Sequence, residues 1–187
     1  MKVKLQDSKN NEVVIHLGDF PLPSISQNSL KIDCVTISPR YDHGFGFSQL
    51  YRVVKDKDSV EIKKSCDESN HTNQVLLLPK DVSDTWRVIL TPTTKSNDEK
   101  SRQESEDLML KLFFLTQSHE IQCNRLLITH FGNLQSYPER SIDGLLDGLL
   151  DISKQSFLNL KDIYIEIQDG FVSKFVKQVK NKFHVHI

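Results

Sequence analysis

Three short segments of the sequence carry residues that could bind a nucleotide, and each follows a run of apolar residues. In HLGDFPLP, the carboxylate of Asp19 can accept a hydrogen bond from an amine such as the amino group of adenine. In SPRYDHGFGFSQL, Gly44 and Gly46 lack a Cβ atom, so nearby backbone amides can approach an anion closely. In HFGNLQSYPE, residues 132–137 precede Pro138, which suits the first turn of a helix.

Each segment also has an ordinary structural interpretation. A Gly-Asp pair before prolines is a common turn, and Phe45 and Phe47 could pack in the core while the glycines only give them room. The nucleotide interpretation depends on position, because α/β proteins hold phosphates in loops between the carboxyl end of a strand and the start of a helix. The second segment lies in a loop of this kind if residues Ser48 to Val54 form a helix.

The elements that would position these segments are mostly strands in the first half of the chain. The polar stretch DSKNN separates two alternating runs and predicts a hairpin. The run IDCVTIS is almost continuously apolar or β-branched, which indicates a strand buried on both faces. The predicted strands of this half are residues 2–6, 12–17, 32–38, 74–79 and 86–92.

The second half alternates helices with strands. Ser101 and Glu104 have the spacing of a capping box, so a helix is expected to start there. Strands are predicted at residues 125–131 and 162–169, with a helix after each, and FHVHI is expected to close the chain as a short strand. This alternation predicts parallel strands with crossover helices. We therefore predict an α/β fold with a mixed central sheet flanked by helices on both faces.

Composition excludes several classes of protein. The 187 residues favour a single domain, residues 1–187, with a polar loop around 93–102. The formal net charge of −1 gives no electrostatic reason to expect nucleic-acid or acidic-membrane binding. The apolar runs are too short to span a bilayer, and the first residues lack the apolar centre of a signal peptide. Three scattered cysteines and the lack of metal-ligand spacings predict a reduced, cytoplasmic protein without a metal site.

In this order, the segments resemble the macrodomains, a family that binds ADP-ribose, along nearly the whole chain. HLGDF is similar to the family's Gly-Asp-Ile segment, and HGFGF stands where the family has a triple-glycine phosphate loop. IDCVTISPR resembles the strand before that loop, with Asp33 and Pro39 matching. LLITHFGNLQSYPERSIDGLLDGLLDI resembles the family's strand, second phosphate loop and following helix, and IYIEIQDGFVSKFV resembles its penultimate strand and last helix.

The resemblance implies an α/β/α fold and a site for ADP-ribose or a related NAD-derived nucleotide, with no cofactor required. Asp19 would hold the adenine amine, residues 132–137 would wrap the diphosphate and distal ribose, and Asp169 and Phe171 would lie near the distal ribose or the adenine. The implied ligand-binding residues are Asp19, Phe20, Arg40, Gly44, Phe45, Gly46, Phe47, Gly132, Asn133, Leu134, Gln135, Ser136, Tyr137, Asp169 and Phe171.

The sequence departs from the family where catalysis would take place. Arg40 stands where active members carry an Asn, and a guanidinium remains protonated, so it cannot act as a base. His43, Asp42 and Asp169 are the remaining catalytic candidates. We therefore expect a binding module without strong catalysis, whose partner could be an ADP-ribosylated protein or an effector. The alternatives are an ADP-ribosyl hydrolase, or a sensor or interaction domain with an altered ligand, as in nucleotide-signalling defence.

Overall fold

Five strands come first and helices alternate with strands after them in the part of the chain that the structure, a computed structural model, describes: residues 1–18, 31–37, 74–78, 80, 84–91, 98–129, 131, 138–167 and 169–185. The strands are β1 (Lys2–Gln6), β2 (Glu12–Gly18), β3 (Cys34–Ile37), β4 (Gln74–Leu78), β5 (Trp86–Thr91), β6 (Arg125–Ile128) and β7 (Asp162–Glu166). The helices are α1 (Glu99–Thr116), α2 (Pro138–Ser153) and α3 (Asp169–Phe183).

The strands form one mixed sheet in the order β1-β2-β7-β6-β3-β5-β4. Neighbouring strands from β2 to β5 in that order are parallel, whereas β1 and β4 pair antiparallel with β2 and β5 at the two edges. The predicted hairpin at DSKNN is confirmed, because β1 pairs with β2 in register from Lys2↔His16 to Gln6↔Glu12. The mixed sheet predicted from the sequence is therefore confirmed.

Helices α1 and α2 are the crossovers of two successive parallel steps, β5 to β6 and β6 to β7, which move across the sheet in the same direction. Because such crossovers are right-handed, both helices are expected on the same face. They run side by side in close contact: a Cβ atom at Gly144 would lie 2.2 Å from the carbonyl oxygen of Arg102, and one at Gly148 would lie 2.8 Å from the Cβ of Met109. The contacts advance along both helices together, so α1 and α2 are parallel.

The core lies between these helices and one face of the sheet. Alternate strand residues such as Ile15, Leu126 and Ile163 belong to one buried cluster with the apolar faces of all three described helices. On the opposite sheet face, Val35, Leu127 and Ile89 are also fully buried, so both faces of the sheet are covered. The helix residues of the cluster are Leu108, Met109, Leu112, Phe113, Ile142, Leu145, Leu146, Leu149, Ile152, Phe175 and Val179.

Several predicted boundaries are wrong, among them the ends of two strands: β6 ends at Ile128 and β7 at Glu166, where the sequence predicts residues 131 and 169. Helix α1 begins at Glu99 rather than at Ser101, because the side chain of Asp98 caps it by accepting a hydrogen bond of 3.1 Å from the Ser101 amide. Residues 98–102 of the predicted polar loop are therefore the cap and first turn of a helix. At the end of the chain, α3 continues to Phe183 and residues 184–185 form no strand, since Phe183 extends the apolar period of the helix.

Candidate functional site

The carboxyl ends of the parallel strands meet at one edge of the sheet. Here β2 ends at Gly18, β3 at Ile37, β6 at Ile128 and β7 at Glu166. Each predicted ligand-binding residue lies in the segment that follows one of these four strands. The sheet therefore directs four segments, which are far apart in sequence, to one edge of the molecule.

Strands β3 and β6 form a topological switch point at this edge. They are adjacent and parallel, but the next strands after β3 lie on one side of the pair, whereas the next strand after β6, which is β7, lies on the other. Open α/β sheets bind their ligands in the crevice above such a point. Strands β3 and β6 end there, and the sequence that follows each of them contains the predicted phosphate-binding glycines.

All three described helices also begin at this edge, because each follows the carboxyl end of a parallel strand. The free amides and the dipole of a helix N-terminus favour an anion. Acidic side chains in these first turns reduce that effect, but the ammonium of Lys174 on α3 binds the carboxylate of Glu139 on α2. This contact lowers the pKa of Glu139 and balances its charge.

Two threonines join the carboxyl ends of β3 and β6 by hydrogen bonds. The amide of Thr129 donates a 3.1 Å hydrogen bond to Oγ1 of Thr36, and Oγ1 of Thr129 donates to the carbonyl oxygen of Thr36. Both residues are buried, and so is Phe131, which belongs to the hydrophobic core. The backbone is therefore anchored directly before each of the two predicted phosphate-binding segments.

The end of β2 and the start of α3 form a second part of the edge. The Ile167 amide donates a 3.2 Å hydrogen bond to the carbonyl oxygen of Gly18. Among the described residues, no atom lies within 4 Å of the place that a Cβ atom would take at Gly18 or at Gly170. Gly18 has a φ of 153°, a conformation that other residues rarely adopt. Phe171 is half-buried in the first turn of α3, where it packs against the hydrophobic core.

The structure describes only two of the predicted site residues. Asp169 begins α3 at the predicted edge, and Phe171 lies in the same turn. The others lie outside the described residues and stay predictions: Asp19, Phe20, Arg40, Asp42, His43, Gly44, Phe45, Gly46, Phe47, Gly132, Asn133, Leu134, Gln135, Ser136 and Tyr137.

Asp33, which matches the family motif, has a structural role at the opposite edge of the sheet. Its Oδ2 accepts hydrogen bonds of 2.9 Å from the amides of Asn124 and Arg125 at the start of β6. The sequence pattern did not single out Thr36, Thr129 or Lys174, which lie at the edge formed by the carboxyl ends of the parallel strands. Threonine in a strand is ordinary, and the only available signal was that a hydroxyl stands near the end of each of two apolar runs.

Other candidate chemistry is absent from the described residues. No group of three metal-ligating side chains occurs among them. The three aspartates at four-residue intervals on α2 are paired with cations: Asp143 contacts Lys182 at 3.6 Å, Asp147 contacts Arg102 at 2.8 Å and Lys182 at 2.5 Å, and Asp151 contacts Lys154 at 3.1 Å. Burial raises the pKa values of the Cys34 and Cys123 thiols, which keeps both protonated. No helix within the described ranges is long and apolar enough to cross a bilayer.

Comparisons by sequence give no match, either to a family model or to a curated protein. Comparison of structures does. A mutant macrodomain of Oceanobacillus iheyensis with ADPR superposes with a TM-score of 0.64 and 10% identity, covering 99% of this chain and 100% of that one. The macro domain of ganglioside induced differentiation associated protein 2 gives a TM-score of 0.65 and 9% identity, covering 92% and 86%.

The chain has the macrodomain fold. The predicted three-layer α/β/α class is thereby confirmed. A tomato leucine aminopeptidase also contains a similar unit, with a TM-score of 0.58 over 97% of this chain and 37% of that protein. At 9–12% identity these matches establish the fold of this chain, whereas its ligand depends on its own residues.

Proposed function

We propose that this macrodomain-fold chain is a binding module for ADP-ribose or a related NAD-derived nucleotide. One observation carries the proposal: all four segments that resemble the family's ligand-binding motifs follow the parallel strands β2, β3, β6 and β7 at a single edge. Open sheets of this kind bind ligands at that edge. The O. iheyensis macrodomains with ADPR and with ADP, which share this fold, add support.

In this proposal, the carboxylate of Asp19 accepts a hydrogen bond from the adenine amine. The diphosphate lies between the segment of Gly44 and Gly46 and residues 132–136, where backbone amides rather than side-chain charges hold it. This mode of binding suits a chain whose net charge is only −1. The pairing of Lys174 with Glu139 also suits it, because it balances a negative charge at the start of α2.

The proposal includes weak catalysis or none, because Arg40 replaces the Asn of active macrodomains and stays protonated. The binding partner would then be a free nucleotide or an ADP-ribosylated protein. Release of ADP-ribose from a modified protein, at a rate comparable with an active macrodomain, would instead establish a hydrolase. Replacement of His43, Asp42 and Asp169 in turn would then identify the base.

Thermal-shift and calorimetric titrations with ADP-ribose, NAD, AMP and cyclic ADP-ribose isomers test the proposal. A ligand at about 100 times its Kd stabilises the native state by roughly 2.7 kcal/mol, which gives a measurable shift. Asp19→Ala should weaken binding about tenfold, since a hydrogen bond to a charged group contributes roughly 1.5–3 kcal/mol.

The matched control is Asp151→Ala. This aspartate lies near the opposite end of α2 and pairs with Lys154, so its loss should leave affinity unchanged. Absence of a shift with every nucleotide would refute the binding proposal and favour an interaction domain that has the fold without the site.

A further inference from the structure

The hydrogen bonds between Thr36 and Thr129 extend the β3–β6 ladder beyond its last residue pair. The ladder pairs Cys34 with Leu126, Val35 with Leu127 and Thr36 with Ile128. At the next position, the side chains take over from the backbone: the Thr129 amide donates to the Thr36 hydroxyl, and the Thr129 hydroxyl donates to the Thr36 carbonyl. Thr129 therefore donates both hydrogen bonds, and Thr36 accepts one on its hydroxyl and one on its carbonyl oxygen.

The pair is almost wholly withdrawn from water. Thr36 is 0% exposed and Thr129 is 1% exposed. A buried amide that loses its acceptor has no water to replace it, so such contacts hold their geometry firmly. Phe131, also buried, fixes the chain two residues further on. The last described points of the backbone before both predicted phosphate-binding segments are thus held together.

Backbone amides can bind a phosphate only when they are already in place, because ordering them on binding costs conformational entropy. The distance between the ends of β3 and β6 is fixed at Thr36 and Thr129, just beyond the last ladder pair. Threonine is one of few residues that can bridge this point, since its methyl group fills buried space while its hydroxyl makes the hydrogen bond.

We propose that Thr36 and Thr129 are positioning residues for the nucleotide site, a doubly hydrogen-bonded pair that holds together the ends of the two strands that precede its phosphate-binding segments. The inference rests on the proposed function. Neither threonine touches the ligand. Both act through the backbone that they hold, so their removal should reduce affinity for the diphosphate as well as stability, whereas loss of a buried threonine hydroxyl at the opposite edge of the sheet should reduce stability alone.

Near-isosteric replacement tests the inference. Thr36→Val removes the acceptor of the Thr129 amide, and Thr129→Val removes the donor to the Thr36 carbonyl. Each variant should bind ADP-ribose about fivefold to tenfold more weakly in calorimetry, the equivalent of one lost hydrogen bond. Thr36→Ser and Thr129→Ser retain the hydroxyl and should restore most of the affinity. Amide exchange at Thr129 in the ligand-free protein should be faster in Thr36→Val.

The matched control is Thr85→Val. The Thr85 hydroxyl donates a 2.8 Å hydrogen bond to the carbonyl oxygen of Ile32 and is equally buried, but it lies at the opposite edge of the sheet. All three valine variants should lose about 2–6 °C in melting temperature, whereas only the pair at the ligand edge should lose affinity.

The outcomes separate the two claims. Unchanged affinity in Thr36→Val and Thr129→Val, with the parent binding ADP-ribose, overturns the positioning role and leaves the proposed function standing. An equal loss of affinity in Thr85→Val also overturns it, because the effect would then be one of general stability. If the parent binds no nucleotide, the proposed function fails and the positioning role fails with it.

Discussion

Replacement of Gly144 by alanine sets two physical effects against each other in the middle of α2. By helix propensity alone, a glycine-to-alanine change in a helix interior stabilises by about 1 kcal/mol. In the folded protein, however, the new Cβ would lie 2.2 Å from the carbonyl oxygen of Arg102, 2.6 Å from the Cβ of Ser105 and 2.9 Å from the amide nitrogen of Glu106. These atoms belong to the backbone of α1 or are fixed to it, so no side-chain rotation can relieve the contact.

The magnitude follows from the displacement required. Non-bonded carbon contacts are favourable near about 3.5–4.0 Å, so α1 and α2 must separate by roughly 1 Å or more at this point. Overpacking of this kind costs about 1–3 kcal/mol, and a gap of ~1 Å between the helices forfeits part of their dispersion energy as well. After the gain in propensity is subtracted, we expect Gly144→Ala to be destabilised by about 2 kcal/mol.

Two other glycines provide graded controls. At Gly148 the new Cβ would lie 2.8 Å from Met109 Cβ and 3.0 Å from Met109 Cγ, and part of that flexible side chain can move, so the cost should be smaller. At Gly170 it would meet nothing within 4 Å, so Gly170→Ala should be neutral or up to about 1 kcal/mol more stable.

Urea denaturation, followed by far-ultraviolet circular dichroism and by Trp86 fluorescence, measures the series. The expected order of stability is Gly170→Ala, then Gly148→Ala, then Gly144→Ala, with equal denaturant slopes. A Gly144→Ala variant as stable as the parent would refute the close parallel packing of α1 against α2.

Three further predictions concern Asp7 beside the β1–β2 hairpin, the glycines of the predicted phosphate-binding segments, and the ion pairs that join Asp147 on α2 to α1 and α3. Burial alone would raise the pKa of Asp7, but hydrogen bonds from Asn11, Phe157 and Lys9 outweigh it and lower the pKa to about 2. The stabilisation is therefore fully present above the unfolded pKa and is lost as pH falls through the folded pKa. The difference in unfolding free energy between the parent and Asp7→Asn, about 2–3 kcal/mol at pH 7, should therefore shrink in urea titrations as pH falls from about 4 to about 2. Gly132→Glu and Gly46→Glu should abolish the nucleotide-induced thermal shift, by steric clash and by charge repulsion with the diphosphate, whereas Gly148→Glu should lower stability alone. Binding equal to that of the parent in the first two would contradict the phosphate-binding role. Asp147→Asn should cost about 1 kcal/mol, less at high salt, since it weakens contacts with both Arg102 and Lys182, and a salt-independent loss would speak against an electrostatic origin.

Local pattern was sufficient for the elements and for the class of fold. The alternation in KVKLQ and EVVIHL around a polar turn determined the β1–β2 hairpin, because side chains of period two and turn residues act over a few positions. The helix–strand alternation of the second half likewise determined parallel strands, since consecutive parallel strands require a crossover. The order of short motifs was enough to identify the macrodomain fold, although overall identity with known structures is only about 10%.

Only the tertiary structure decided which parts meet. No periodicity shows that β7 lies between β2 and β6, because a strand's partner depends on contacts across more than a hundred residues. Asp98 rather than Ser101 caps α1, since both side chains can accept a hydrogen bond at a helix start and the carboxylate of Asp98 lies one turn earlier. From the sequence, Gly144 is only a residue of low helix propensity, and the structure shows that its lack of a Cβ lets α1 approach. Thr36 and Thr129 are ordinary strand residues in the sequence, and their hydrogen bonds form only because β3 and β6 are neighbours. The cap is a local choice between two nearby side chains. For β7, Gly144 and the two threonines, the deciding interaction joins residues that are distant in sequence, which local propensity cannot detect.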